Sequence, residues 1–170
     1  EKIFKEKDQN IVKWNYSIKN KNDGLNLNNL YKLINNNTSL VILPHCSNIL
    51  GNILDIKEIT KNIKLINPDT LVLVDGVAFF PHNLIDVHDL DVDFYLISFY
   101  KFCGLRISLL YSKENVYNKI KNQNHYFLEN NKDKKLLLGG INYECAISII
   151  GIKRYFQQFY EFINNKKYEK

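Results

Sequence analysis

The sequence predicts an α/β domain with a mostly parallel sheet that is flanked by helices. Short apolar runs, typical of buried strands, alternate with segments whose apolar residues recur every three to four positions, as in helices. Polar clusters directly follow three of the apolar runs, at the strand ends where parallel α/β sheets bind ligands. The chain has 170 residues and is 45% hydrophobic, which is enough for one domain with a sizeable core.

Strand and helix signals alternate along the whole chain. Strands are predicted over residues 11–17, 39–43, 71–74, 94–97 and 107–111. Helices are predicted over residues 27–34, from a capping-box-like start at Asp55 and Glu58, over 114–121, and over a long stretch containing Ile149 to Ile163. The apolar stripe of this last helix is expected to pack in the core. The polar segment 122–135 is expected to be a loop or an insert.

The net charge of +5 comes mainly from lysines that are dispersed along the chain. Arg106 and Arg154 are the two arginines of the sequence, whereas a nucleic-acid interface needs clustered Arg and Lys among exposed aromatic residues. The sequence therefore predicts a solvated basic surface and no nucleic-acid partner. The apolar stretches fall short of the roughly 18 residues of a membrane span, so no membrane partner is expected.

The cysteines Cys46, Cys103 and Cys145 show no CxxC or paired spacing. This pattern argues against a disulfide framework and against a metal site, and it favours a reduced intracellular, cytoplasmic chain. All three lie in or beside predicted core elements, and none is expected to act as a sulfur acceptor. Because the chain begins at Glu1 and contains no Met, it is expected to be a piece of a longer protein, so organelle targeting is not readable from it.

Asp75 and Lys101 stand 26 residues apart, and each follows a run that predicts a buried parallel strand. An amine can hold pyridoxal phosphate (PLP) as a Schiff base, while a carboxylate keeps the pyridine nitrogen of the cofactor protonated. Alone, an aspartate before a glycine is more often a turn residue and a lysine more often a surface residue. As a pair at strand ends they predict a PLP site. His82, between them, is most simply a loop residue.

Further polar residues near these strand ends are candidates for cofactor contacts. The hydroxyl groups of Ser98 and Tyr100 flank Lys101 and could donate hydrogen bonds to the cofactor phosphate. Asn48 could donate to the phenolic oxygen of the ring, and His45 could orient the ring or pack beneath the strand end. Taken singly, Tyr100 is better explained by core packing, and Asn48 and His45 are more often structural.

Four segments follow one another in an informative order. Residues 44–51 read PHCSNILG, and residues 71–87 contain VDG followed by PHNLIDV. Residues 91–104 contain DFY, a serine, Lys101 and a glycine, and residues 139–144 read GGINYE. Together these segments resemble the HxSNxxG, VDG…PHxxxDV, DFYxxSxxKxxG and glycine-threonine motifs of the class V aminotransferase and cysteine desulfurase family, which are fold type I PLP-dependent enzymes.

The resemblance implies that Lys101 is the catalytic Schiff-base lysine and that Asp75 is the partner of the pyridine nitrogen. It also implies phosphate contacts from Ser98 and Tyr100 and a ring contact from Asn48. The family consists of transferases and lyases that act on amino acids, and the branch most similar to this sequence is the cysteine desulfurase-like one. Fold type I sites generally lie at a dimer interface, so a homodimer is implied as well.

The resemblance covers nearly the whole chain. Residues 1–170 are therefore expected to be part of a PLP-binding large domain whose N- and C-terminal parts are absent. Ala78 and Gly140 stand where relatives commonly have a Gln and a Thr that contact the cofactor. An alternative accordingly stays open, in which the chain is a non-catalytic relative with a structural or interaction role. Substrate, reaction type and acceptor are left open by the sequence.

Overall fold

The computed structural model describes residues 10–14, 26–137 and 139–165. The first predicted strand falls largely outside this part of the chain, because residues 15–17 are not among those described. Residues 11–14 have no regular secondary structure, so the prediction of a strand there is wrong. The remaining predicted strands and helices are all present, with ends that differ by a few residues.

Four helices and four short 3-10 turns make up the helical part of the described chain. The helices are α1 (Leu27–Leu33), α2 (Ile56–Ile66), α3 (Glu114–Lys119) and α4 (Tyr143–Asn165). The turns are Phe80–His82, Phe99–Lys101, Tyr126–Leu128 and Lys132–Lys134. The predicted cap of α2 is confirmed, because Asp55 Oδ1 accepts a hydrogen bond from the backbone N–H of Glu58 at 3.0 Å.

One sheet contains the four strands in the order β1-β2-β3-β4. The strands are β1 (Leu40–Pro44), β2 (Leu71–Asp75), β3 (Phe94–Ser98) and β4 (Ser108–Ser112). The first three are parallel, and β4 runs antiparallel to β3. The connection over residues 99–107 is too short for a parallel crossover, which needs a dozen or more residues. The prediction of a mostly parallel α/β sheet is therefore confirmed, with an antiparallel edge strand.

The core lies between the sheet and the helices α1 and α2. Val72 and Val74 of β2 are completely buried, as is Ile63 of α2. Alternation along β1 places the next side chains on the opposite face, where Ile42 is 63% exposed. Within the described residues, one face of the sheet is thus packed by helices while part of the other face is open.

The long helix α4 packs against the core through residues near its middle. Ile152 is buried, and the ring of Phe156 stacks on Phe102 at a centroid distance of 4.6 Å. Phe159 and Ile163 are about half exposed, so the prediction that the whole stripe packs in the core is wrong for these two residues. A helix of 23 residues is about 35 Å long, roughly twice the length of a five-residue strand, and it therefore extends past the sheet.

Residues 122–135 form a loop that is closed by its own hydrogen bonds. The side-chain amide of Asn122 donates to the carbonyl oxygens of Leu128 and Glu129, at 2.8 and 2.9 Å. The backbone N–H of Gln123 donates to the carbonyl oxygen of Lys135 at 2.8 Å. Among the described residues, no helix is both long and apolar enough to cross a membrane.

Candidate functional site

The carboxyl ends of the three parallel strands lie side by side at one edge of the sheet. Pro44 is paired with Asp75 in the register of β1 and β2, and the backbone N–H of His45 donates to the carbonyl oxygen of Asp75 at 2.8 Å. On the other side of β2, the backbone N–H of Gly76 donates to the carbonyl oxygen of Leu96 at 2.8 Å. The polar clusters that the sequence places after these strands therefore meet at the same edge.

A cleft of about 560 Å³ opens at this edge. It is lined by Cys46, Ser47, Asn48, Gly51, Val77, Ala78, Pro81, His82 and Lys101. Of the residues that the sequence nominates for a site, the structure thus brings Asn48 and Lys101 into one cleft. Asp75 is two residues before Val77, at the rim.

Lys101 ends the 3-10 turn that directly follows β3, and its side chain is exposed. The backbone N–H groups of Phe102 and Gly104 both donate to the carbonyl oxygen of Phe99, at 2.9 and 2.8 Å, and so close the turn. A Cβ atom at Gly104 would lie 2.8 Å from that same oxygen, which explains the glycine. Cys103, between Phe102 and Gly104, adopts a left-handed φ of 58°.

Asp75 is the last residue of β2, and its side chain is exposed. Its Oδ1 accepts a hydrogen bond from the backbone N–H of Val77 at 3.0 Å, in the manner of an Asx turn. One carboxylate oxygen is thereby tied to the backbone, which restricts the rotation of the carboxylate group. The turn continues through Gly76, where a Cβ atom would collide with the ring of Tyr95.

Asn48 lies on a tight turn after β1. The hydroxyl oxygen of Ser47 accepts hydrogen bonds from the backbone N–H groups of Ile49 and Leu50, at 3.3 and 3.1 Å. Gly51 closes the turn with a left-handed φ of 71°, and its N–H donates to the carbonyl oxygen of Ser47 at 2.9 Å. This turn presents the exposed Asn48 to the cleft.

Ser98 and Tyr100 lie on the segment that carries Lys101, outside the lining of the cleft. Ser98 is half-buried at the end of β3, where it pairs with Ser108 of β4. Tyr100 is 60% exposed, so its interpretation as a core residue is wrong. The guanidinium group of Arg106 lies over its ring, 5.5 Å from the centroid, and brings a positive charge to this side of the lysine.

His45 is buried beneath the strand ends, outside the cleft lining. Its Nδ1 is 2.7 Å from the hydroxyl oxygen of Tyr95, and its ring stacks on Phe79 with 3.6 Å between centroids. Burial lowers the pKa of His45 to about 4, although the Asp55 carboxylate acts in the opposite direction. Burial also raises the pKa of Tyr95, and the Asp75 carboxylate raises it further. Both groups are therefore uncharged near neutral pH.

Several residues in and beneath the cleft carry no strong signal in the sequence. His82 ends the 3-10 turn after β2 and reaches the cleft, although a histidine after a proline reads as an ordinary loop residue. Tyr95 reads as one apolar residue of a strand, and its link to His45 joins residues 50 positions apart. Only the register of three strands places these side chains together, and a single sequence does not encode that register locally.

The cysteines do not form a recognisable redox or metal site. Cys46 and Cys145 are half-buried, and Cys103 is exposed beside Phe102, which packs against the core. All three are free thiols. In the part of the chain that the structure describes, no group of three or more His, Cys, Asp or Glu residues could hold a metal ion.

Comparisons with known proteins define the class of this chain. The family model for aminotransferase class V matches residues 5–127. This chain therefore belongs to the class V aminotransferase family, which includes the cysteine desulfurases. The mostly parallel sheet with its flanking helices is accordingly part of the large domain of the fold type I class.

Individual relatives carry related names. The chain is 40% identical over 149 residues to the aminotransferase-like protein FGM3 of Gibberella zeae, which covers 85% of this chain and 36% of that protein. It is 37% identical over 135 residues to the cysteine desulfurase-like protein ustD of Aspergillus flavus, covering 78% of this chain and 30% of that protein. The chain thus spans about a third of the length of these curated relatives.

A solved structure with the same architecture is that of the cysteine desulfurase CsdA from Escherichia coli. The two chains are 26% identical and superpose with a TM-score of 0.60. The match covers 68% of this chain and 28% of that structure.

Proposed function

We propose that this chain carries the cofactor-attachment part of a PLP-dependent enzyme that acts on an amino acid. The observation that carries the proposal is the cleft at the carboxyl ends of the parallel strands, where Asn48 and Lys101 meet beside the Asp75 turn. Membership of the class V aminotransferase family supports the same conclusion. The proposal gives each of these residues a separate chemical task.

The residues at this edge fit the functional groups of PLP. Lys101 offers an exposed amine for the cofactor aldehyde, and Asp75 offers an exposed carboxylate for the ring nitrogen. Asn48 offers an amide to the phenolic oxygen. For the phosphate dianion, the hydroxyl groups of Ser98 and Tyr100 are available beside Lys101. The donor set therefore matches each polar part of the cofactor.

Arg106 strengthens the case for a phosphate near Tyr100. Its guanidinium group lies over the Tyr100 ring, 5.5 Å from the centroid, and guanidinium groups favour phosphate oxygens. This contact holds the charged group beside the Tyr100 hydroxyl-bearing ring. Within the described residues, Tyr100 and Arg106 thus form a cationic and hydroxyl-bearing side of the proposed site.

When bound, PLP supplies an electron sink for bonds at the Cα atom of an amino acid. Asp75 would stabilise the protonated ring nitrogen by a charge-assisted hydrogen bond, which would maintain that sink. Lys101 would hold the cofactor through its amine. The same amine would be placed to move the proton at the substrate Cα.

The names of relatives indicate which reaction to assay first. Because the ustD protein is called cysteine desulfurase-like, removal of sulfur from a cysteine-like substrate is the first candidate, with transamination and β-elimination as the others. We also propose that the full protein is a homodimer, as is general for fold type I enzymes. Both statements concern the complete protein, of which this chain is about a third.

The proposal is tested by adding PLP to the full-length protein and recording the visible absorbance of lysine-bound cofactor. We expect a saturable band that is lost in Lys101→Ala and kept in Lys61→Ala, a control at an exposed lysine on α2. A wild-type protein that shows no band, or a Lys101→Ala variant that keeps it, would contradict the proposal.

A second candidate, a non-catalytic relative, is favoured by one observation. Ala78 lines the cleft and offers no polar group to the cofactor. If the wild-type protein shows no band but Ala78→Gln does, the non-catalytic relative is the better conclusion. A band in the wild-type protein that changes on addition of an amino acid, with product formed, excludes this candidate.

A further inference from the structure

A buried pair of side chains, His45 and Tyr95, lies directly beneath the Asp75 turn. We propose that His45 and Tyr95 are positioning residues that hold the Asp75–Gly76 turn in place and thereby aim the Asp75 carboxylate at the cofactor nitrogen. This inference rests on the proposed function. It assigns a role to two residues that lie outside the lining of the cleft.

The pair is held rigidly from three sides. His45 is 5% exposed and Tyr95 is 2% exposed, so neither side chain has room to change rotamer. The hydrogen bond between Nδ1 of His45 and the hydroxyl group of Tyr95 measures 2.7 Å. The imidazole is also stacked on Phe79, with 19° between the ring planes, and meets the Tyr95 ring edge-on.

Both members of the pair contact the Asp75 turn itself. The backbone N–H of His45 donates to the carbonyl oxygen of Asp75 at 2.8 Å. On the other side, Gly76 packs against the phenol ring of Tyr95 so closely that a Cβ atom would collide with it. The peptide between Asp75 and Gly76 is therefore clamped between β1 and the side chain of a β3 residue.

The charge state of the pair suits this role. Burial lowers the pKa of His45 and raises that of Tyr95. The phenol therefore keeps its proton and can donate a hydrogen bond to a neutral imidazole. The carboxylates of Asp55 and Asp75 act electrostatically on His45 and Tyr95, respectively. A neutral pair adds no positive charge that could compete with the cofactor nitrogen for the Asp75 carboxylate.

The test uses Tyr95→Phe in the full-length protein, because this change removes one hydroxyl group and keeps the ring. Two quantities are measured besides activity: the dissociation constant of PLP and the pH profile of the visible band. We expect PLP binding to weaken about tenfold, as is typical when a supporting hydrogen bond to an active-site ligand is lost. The pH profile of the band should shift in the same direction as in Asp75→Asn.

The matched control is Tyr111→Phe. Tyr111 is the partner of Tyr95 in the register of β3 and β4, so the same substitution is made in the same sheet away from the Asp75 turn. This variant should bind PLP as the wild-type protein does, with an unchanged pH profile. If Tyr95→Phe also binds PLP normally with an unchanged profile, the inference is overturned, even if its melting temperature falls.

A second pair of variants decides the question if Tyr95→Phe does not fold. His45→Asn keeps a hydrogen-bond acceptor close to the Nδ1 position, whereas His45→Leu removes it. We expect PLP affinity and pH profile to be largely retained in the asparagine variant and altered in the leucine variant. Equal behaviour of the two variants would refute the inference. Failure of the proposed function looks different, because the wild-type protein would then show no visible band.

Discussion

Single residues at the sheet edge are positioned by short hydrogen-bonded turns. Lys101 stands on a 3-10 turn that only a glycine at position 104 allows to close, and Asp75 is tied to the backbone N–H of Val77. Asn48 is presented by the Ser47 turn. These turns explain why exposed polar side chains can hold defined orientations without being buried.

The prediction at this scale concerns His45 and pH. Its folded pKa of about 4 lies below the ordinary value of 6.5, so between these values the unfolded chain binds more protons than the folded one. Stability therefore falls as the pH falls from about 6.5 to about 4, by at most about 1.4 kcal/mol for each pH unit. Unfolding midpoints in denaturant, measured across this range, check the expectation.

The control for this pH dependence is His45→Gln, which lacks a titratable ring. Its stability should fall less steeply below pH 6.5 than that of the wild-type protein, although it is lower at neutral pH. Parallel curves for the two proteins would show that His45 does not titrate as described.

The sequence predicts some of these residues and not others. Asp75 and Lys101 stand immediately after apolar strands, so their place at the sheet edge follows from local pattern. His45 was predicted as a candidate ring contact or a residue packed beneath the strand end, and the structure places it beneath. Its partner Tyr95 is on β3, with β2 between it and β1, so only the sheet register brings the two residues together.

At the scale of elements, a buried aspartate connects the sheet to α2. Asp93 is 3% exposed, and its Oδ2 accepts hydrogen bonds from the backbone N–H of Val72 at 2.8 Å and from Lys64 Nζ at 2.7 Å. Lys113 lies on the other side of the carboxylate, with Nζ 3.9 Å from Oδ1. This carboxylate therefore joins the start of β2, the end of α2 and the residue after β4.

We expect Asp93→Ala to lower the free energy of unfolding by about 3 kcal/mol, because it leaves the buried N–H group of Val72 and the ammonium group of Lys64 without their acceptor. The control is Asp89→Ala, which breaks a pair with Lys57 in which both side chains are mostly exposed. That change should cost far less, because solvent screens an exposed ion pair. Denaturant unfolding of both variants makes the comparison, and equal losses would contradict it.

The positions of the strands and helices along the chain were largely predictable. What each of them pairs with or packs against was less predictable. Apolar runs marked the strands β1 to β4 to within a residue or two, and the Asp55 cap marked the start of α2. The antiparallel direction of β4 follows from the short connection over residues 99–107 and not from any strand pattern. The second half of α4 carries a regular apolar stripe, but periodicity does not show that the sheet ends before the helix does.

At the scale of the whole molecule, the described residues present an open site and a long helix whose second half has several exposed apolar side chains. The cleft is bounded by three strand ends, and the second half of α4 exposes Tyr155, Phe159, Tyr160, Phe162 and Ile163. The chain spans about a third of the length of its curated relatives. The proposed enzyme is therefore the complete protein, to which this chain would contribute the attachment lysine and the carboxylate.

The most direct test of the central claim is to locate the bound cofactor. Full-length protein is incubated with PLP, reduced with borohydride to make the lysine linkage permanent, digested, and mapped by mass spectrometry. The account predicts a pyridoxyl label on the peptide that contains Lys101 and no label there in Lys101→Ala. A label that is absent, or spread over surface lysines such as Lys57 and Lys61 while Lys101 stays unmodified, would contradict it.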